Sequence, residues 1–221
     1  MATAEVDVPS SLRTVPGSVN IPIATFPVTP NNSAPADVSK VAVDLVSSFN
    51  KAIEAGDYQA IADLFLDNGF WRDHFALTWD FRTAKGPDGI LNLLKEAAGS
   101  RDGFRLKKIE IDDSTDVRAP KFKTLDEEGK VWGIQAFITL ETAIGKGRGI
   151  ARLVEVDGKW RIFTLYTSLR ELTGHEEDIY SRRPVGVQHG GKPGRKNWAE
   201  RRTQAADFND GTAPAVFILG M

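Results

Sequence analysis

The sequence predicts an α+β domain, with helices packed on one side of a curved, mostly antiparallel sheet. Three observations predict it. Apolar residues recur at helical spacing from 35 to 99, and at period two from 104 to 169. Between two alternating runs sits Asp157-Gly158, a hairpin turn signal because both central residues of such a turn need positive φ.

Residues 1–32 carry Pro9, Pro16, Pro22, Pro27 and Pro30. Proline lacks the amide donor and clashes with the preceding helical turn, so this stretch reads as an extended arm strapped along the domain at Ile21, Ile23 and Phe26. A first helix over 35–55 places Val38, Val41, Ala42, Leu45, Phe49 and Ile53 on one stripe, with Ser33 as N-cap and Gly56 as the C-terminal stop. Asp57 caps a short second helix carrying Ile61, Leu64 and Phe65, which Asn68-Gly69 breaks. The aromatic-rich segment 70–83 passes from loop to strand. Gly86-Pro87 opens a third helix with Ile90, Leu91, Leu94 and Ala97 inward and Gly99 closing it.

The period then changes. Phe104, Leu106, Ile109 and Ile111 mark a strand, with a slip in the alternation at Lys107-Lys108 that reads as a bulge. A strand over 130–142 puts Trp132, Ile134, Ala136, Ile138 and Leu140 on one face, and its other face is also largely apolar. Strands over 148–156 and 159–169 complete a meander. Strands this long twist and curl, so three N-terminal helices on the concave side make the sheet a cone around a hollow. Beyond Leu172 the chain is charged and Gly-rich, with a short helix near 197–206 and an apolar run over 213–219. The expected organisation is an arm (1–32), a domain (33–172), a linker or arm (173–212) and a terminal strand segment (213–221).

Composition narrows the function classes. A net charge of −2 over 221 residues gives no global attraction to nucleic acid or membrane. The basic stretch from Arg182 to Arg202 is interrupted by Glu200 and followed by Asp207. With no cysteine there are no disulfides, thiolate zinc sites or cysteine nucleophiles. His74, His175 and His189 are too far apart for a metal-ligand spacing, so no metal is expected. No run approaches the roughly 20 apolar residues of a bilayer span, and the expected location is the cytoplasm.

Three segments together carry a family resemblance. They are Leu64-Phe65 with Gly69-Phe70-Trp71-Arg72-Asp73 and Leu77-Thr78-Trp79-Asp80-Phe81-Arg82-Thr83; Arg182-Arg183-Pro184, Gly186-Val187, Gly194-Arg195-Lys196-Asn197-Trp198 and Ala206-Asp207-Phe208; and Pro214 through Gly220. In this order they resemble the N-terminal portion of fungal flavin-dependent monooxygenases, where an NTF2-like domain precedes a dinucleotide-binding flavin domain. The resemblance implies an NTF2-like cone. In that family the last apolar strand leads into a Gly-x-Gly-x-x-Gly turn that holds the FAD pyrophosphate, whereas this sequence ends at Gly220-Met221. The expectation is therefore a relative truncated before the flavin domain, with no FAD or NADPH site. It binds a hydrophobic small molecule in a secondary-metabolite pathway, as a cofactor-independent dehydratase, isomerase or cyclase. The alternative is a non-catalytic dimerisation or accessory module, partnered by a second copy or by a separate flavoprotein.

The resemblance directs attention to residues 71–80, because NTF2-like enzymes use an Asp or His inside the cone. A carboxylate walled by aromatics loses solvation, which raises its pKa toward a useful acid–base range. Asp73 then acts as base with His74 as its partner, Trp71 and Trp79 form the walls, and Asp80 lines the site. Tyr166 and Arg152 are further ligand-contacting candidates, Tyr166 sharing a strand face with Trp160, Ile162, Thr164 and Ser168. A plainer reading stands beside this one: Arg72 and Asp73 form a structural ion pair, the aromatics are core, and Arg152 lies on a solvated edge. If the segment is extended, Asp73 and His74 face opposite sides.

Overall fold

A computed structural model describes residues 25–27, 33–177, 179, 182 and 196–207. The chain divides into two compact units, Met1–Glu177 and Asp178–Met221. In the second, the described residues form the helix Trp198–Ala206, where Asn197 and Glu200 exchange side-chain bonds to each other's backbone N–H at 2.8 and 2.7 Å. This reciprocal capping box agrees with the helix expected there. The expected contacts of Ile21 and Ile23, His189, and the segment 214–220 lie outside the described residues.

The first unit is α+β. Its elements run α1 (Val38–Ala55), α2 (Tyr58–Ala62), β1 (Phe65–His74), β2 (Phe81–Lys85), α3 (Gly86–Gly99), β3 (Leu106–Ile111), β4 (Lys121–Thr124), β5 (Trp132–Thr142), β6 (Gly145–Val156) and β7 (Lys159–Leu172). The strands form one open sheet in the order β2-β1-β7-β6-β5-β3, with β4 also pairing with β5. Three helices precede β3, but they do not form an uninterrupted N-terminal group. β1 and β2 intervene, and β1 lies parallel to β7. The short second helix ends before Leu64, and Phe65 already pairs with Ile162. Leu64-Phe65 followed by Asn68-Gly69 reads as a helix end. The strand wins because β7 offers it a ladder, absorbed by a register shift between Phe65 and Phe70.

Local signals act as their chemistry directs, with one displacement. Gly56 ends α1 at φ 65°, and Asp57 caps α2 by accepting from the Ala60 N–H at 2.9 Å. The α1 N-cap is Asp37, not Ser33: its carboxylate accepts the Lys40 N–H at 2.8 Å, and an acceptor one turn before the first buried residue, Ala42, outcompetes a more distant hydroxyl. The slip near Lys107 is a register shift between Leu106 and Lys108. Asp157 and Gly158 turn at φ 53° and 72°. β4 has no counterpart among the expected strands, since a four-residue Lys-rich edge strand carries almost no period-two signal.

The core lies between the helices and one sheet face. Phe49, Ile61, Ile90 and Leu94 descend from the helices onto Trp71, Ile134, Ile138 and Leu153, all fully buried or nearly so. Each such side chain contributes about 1.5–3 kcal/mol of burial free energy. A smaller cluster of Leu66, Val131, Val154 and Phe163 receives the Phe26 ring of the arm at 5.7 Å, and Asn68 Nδ2 donates to the Thr25 carbonyl at 2.9 Å. The arm contact expected at Phe26 is therefore present.

β6 begins at Gly145, earlier than its apolar pattern suggests, because alternating glycines hide the period. They fix how closely β6 and β7 approach. A Cβ on Gly149 would stand 2.2 Å from the Tyr166 carbonyl oxygen and 3.0 Å from Ile138 Cγ1, and one on Gly147 would stand 2.3 Å from the Ser168 carbonyl oxygen. Gly149→Ala is expected to lower unfolding free energy by about 1–3 kcal/mol, the cost of overpacking. Urea denaturation measures it, and an unchanged midpoint contradicts the close approach.

Candidate functional site

Strand period decides what meets at residues 71–74. β1 is extended here, with Trp71 opposite Leu165, Arg72 opposite Tyr166, Asp73 opposite Thr167 and His74 opposite Ser168. Trp71 and Asp73 point into the core, and Arg72 and His74 point to the other face. Asp73 and His74 do not meet.

On the core side Trp71 is fully buried, with its ring edge-on to Phe49 at 5.7 Å and stacked on Phe65 at 5.8 Å. Its Nε1 donates to Thr167 Oγ1 at 2.9 Å, and the Thr167 hydroxyl donates to Asp73 Oδ1 at 2.6 Å. Asp73 Oδ2 accepts the Leu77 N–H at 2.9 Å. Asp73 has no exposed surface. Burial pushes its carboxyl up from 3.8 to about 6, against hydrogen bonds from Thr167 and from the backbone of Leu77, Thr78 and Ala76 that favour the ion. Desolvation wins although the carboxylate is well bonded.

The segment 75–80 that supplies those N–H groups leaves the sheet at Phe75, a non-glycine residue with φ 66°. Trp79, 57% exposed, donates from Nε1 to Asp102 Oδ2 at 3.1 Å. Under its ring lies the Arg105 guanidinium, Cζ 4.3 Å from the centroid, with an Nη2 bond to the same Asp102 oxygen. That bond holds the Asp102 carboxyl below its ordinary value. Only 2% of the Arg105 side chain is exposed, and Nε and Nη1 find no partner among the described residues. Thr78 Oγ1 is also buried and unpartnered. Each such group costs about 1–3 kcal/mol when left dry, and more when charged. Asp80 accepts the Phe81 N–H at 2.8 Å and is half-buried.

On the other face Arg72 donates from Nε to His74 Nε2 at 3.0 Å and from Nη1 to Thr83 Oγ1 at 2.5 Å, so the expected ion pair with Asp73 is replaced by contacts on its own face. An arginine donor at Nε2 leaves the imidazole proton on Nδ1, which faces Tyr166 Oη at 3.2 Å. Burial, and then the Arg72 charge, lower the His74 pKa. Tyr166 stands edge-on to His74, with ring centroids 5.0 Å apart. It does not share a face with Ile162, as the uninterrupted alternation suggests. A register shift between Arg152 and Leu153 skips Phe163, so Ile162 joins the core while Tyr166 keeps Thr164 and Ser168. Arg152 is half-buried opposite Gln135 and Thr164, on the Tyr166 face.

The seven predicted residues therefore fall into three places: Trp71 and Asp73 in the core, Trp79 and Asp80 on the loop, and His74, Tyr166 and Arg152 across the sheet. Sequence reasoning missed Thr167, Thr78, Asp102 and Arg105. The available signals were a threonine at a core position of β7 and an arginine between Phe104 and Leu106. A separate cleft of about 730 Å3 lies between Phe26-Pro27 and the loop 125–131 and contains none of the predicted residues. Its Asp126 is committed to the Lys130 and Val131 N–H groups at 3.1 and 2.9 Å, so the buried titratable chemistry stays at Asp73. Among the described residues no group of three or more His, Asp or Glu is placed to hold a metal ion, and no helix is long and apolar enough to cross a membrane.

No family model and no curated protein matches this chain. Solved structures with a similar arrangement include a domain of unknown function with a cystatin-like fold from Nostoc punctiforme, at 13% identity and TM-score 0.45 over 81% of this chain and 90% of that one. Another is ActVI-ORFA from Streptomyces coelicolor, at 12% identity and TM-score 0.43 over 60% and 98%. A third is an NTF-2-like protein of unknown function from Shewanella oneidensis, at 14% identity and TM-score 0.40 over 58% and 97%. Likenesses at this level assign this chain no function.

The raised Asp73 carboxyl makes a signed prediction. The native state holds this proton more tightly than the unfolded chain, so its contribution to stability is complete below pH 3.8 and is lost as pH rises through about 6. The loss is about 3 kcal/mol, the value of a two-unit shift. Asp73→Asn removes it. Relative to wild type, the variant is expected to gain about 2–3 kcal/mol in urea unfolding free energy between pH 4 and pH 7. A difference that does not change with pH contradicts the shift.

Proposed function

We propose that this chain is an NTF2-like small-molecule-binding protein that uses Asp73 as a general acid–base for a hydrophobic substrate. The chemistry is dehydration, isomerisation or cyclisation without a cofactor. One observation carries this reading: an ionisable carboxylate with no exposed surface, joined through the Thr167 hydroxyl to the buried Trp71 indole, has its pKa raised to about 6.

At pH 7 a group with that pKa is about nine-tenths ionised, so it accepts a proton readily and returns it at little cost. The elementary step breaks a C–H bond beside a carbonyl. The electron pair moves into the enolate and the proton goes to a carboxylate oxygen of Asp73. Thr167 holds Oδ1, and the loop amides hold Oδ2 until a ligand displaces the loop. Trp71 serves as the wall and Trp79 as the outer cover. His74, kept neutral, joins β1 to β7 through Tyr166 on the far face and stands apart from the reacting atoms, as does Arg152. The aromatic setting and the resemblance of segment 64–83 support a hydrophobic metabolite as substrate.

Hydrogen–deuterium exchange of 2-tetralone in D2O, followed by 1H NMR, tests the base without knowing the natural substrate. Wild-type protein is expected to accelerate exchange, with a rate rising through pH 6 and then levelling. Asp73→Asn is expected to lower the acceleration by about 10²-fold or more. Equal rates in the two proteins sink the proposal.

A further inference from the structure

Arg105 stands out from the other charged groups described. A guanidinium carries five N–H donors in a rigid fork, and three of them belong to Nε and Nη1. Here Nη2 bonds to Asp102, while Nε and Nη1 have no partner among the described residues and only 2% of the side chain is exposed. A buried cationic donor without a partner is unfavourable unless something completes it. The neighbouring loop adds a second incomplete group, Thr78 Oγ1, buried and also unpartnered. The two groups belong to one structural unit. Thr78 is adjacent in sequence to Trp79, whose ring covers the guanidinium at 4.3 Å, and the same loop carries the Leu77 amide that binds Asp73.

The partner that fits is anionic, accepts several hydrogen bonds and has an apolar body. Asp102 offers Arg105 a single oxygen, shared with the Trp79 indole, and is itself 40% exposed. It leaves the buried end of the fork free. Carboxylate oxygens match guanidinium N–H groups in spacing and charge. The neighbour the guanidinium already has is aromatic: the Trp79 ring lies over it at 4.3 Å. That favours a carboxylate on a hydrophobic or aromatic body over a small, strongly hydrated inorganic anion. Trp79, more than half exposed, is the cover on the solvent side.

We propose that Arg105, beneath Trp79, and Thr78, on the same loop as Trp79, bind the carboxylate of an aromatic or otherwise hydrophobic acid, orienting it toward Asp73. This rests on the reading of Asp73 and its loop as the ligand site, and it narrows the substrate class to hydrophobic carboxylic acids.

The test uses the full chain with sodium benzoate, its neutral isostere benzamide, and inorganic phosphate. The 15N–1H signals of Arg105 Nε and Trp79 Nε1 are followed by NMR. Benzoate is expected to shift both signals saturably, with a Kd at least tenfold lower than that of benzamide or phosphate. Arg105→Lys is expected to weaken benzoate at least tenfold. Thr78→Val, which keeps the guanidinium in place if the lysine variant does not fold, is expected to weaken it about threefold or more. Equal binding of benzoate and benzamide, phosphate as tight as benzoate, or an unmoved Arg105 signal overturns the assignment. The readout involves no turnover. A failed exchange assay at Asp73 therefore leaves the carboxylate site standing, and a failed benzoate titration leaves the base to be judged by its own assay.

Discussion

The carboxylate of Asp73, cut off from water, is the constraint on which the rest of the site depends. It belongs to β1 and takes the Thr167 hydroxyl from β7 and the Leu77 amide from the loop that follows β1. Through Thr167 it also fixes the Trp71 indole, which packs against α1. One side chain thus ties a parallel strand pair, a strained loop exit and the principal helix together. The cost is a charge held in an apolar place, and the raised pKa is the form that cost takes.

The two-residue period of β1 divides the chemistry. Everything built around Asp73 lies on the helix side of the sheet, and the Arg72–His74–Tyr166 group lies on the other. Adjacent positions in sequence therefore serve unrelated surroundings: a closed, buried carboxylate, and a half-buried polar cluster that stitches β1 to β2 and β7. The loop 75–80 meets Asp73 through the Leu77 amide and a second buried charge, Arg105, through the Trp79 ring.

Much of the framework was legible because its causes are local. Gly56 must end a helix at positive φ, Asp157-Gly158 must turn a hairpin, and the slip at Lys107 must appear as a bulge. The apolar face of Ile134, Ile138 and Leu140 follows from alternation alone. What escaped reading was non-local or masked. Nothing near Phe65 shows that β7 waits, about a hundred residues later, to make it a strand, and Gly145, Gly147 and Gly149 remove the side chains that would have marked the start of β6. Asp73 was recognisable as a carboxylate among aromatics. Its true partner, Thr167, lies 94 residues away, and the apparent partner next to it, His74, points to the other side. Arg105 was missed because burial of a single arginine depends on the loop that folds over it.

The central claim is that burial, and not a neighbouring charge, sets the protonation of Asp73. A site-resolved 13C NMR titration of the Asp73 carboxyl carbon in the unliganded wild-type protein tests it most directly. A midpoint near 6 that is insensitive to added salt is expected, because no ion pair sets it. A midpoint near the ordinary aspartate value, about 3.9, would show a solvated carboxylate and would contradict the account.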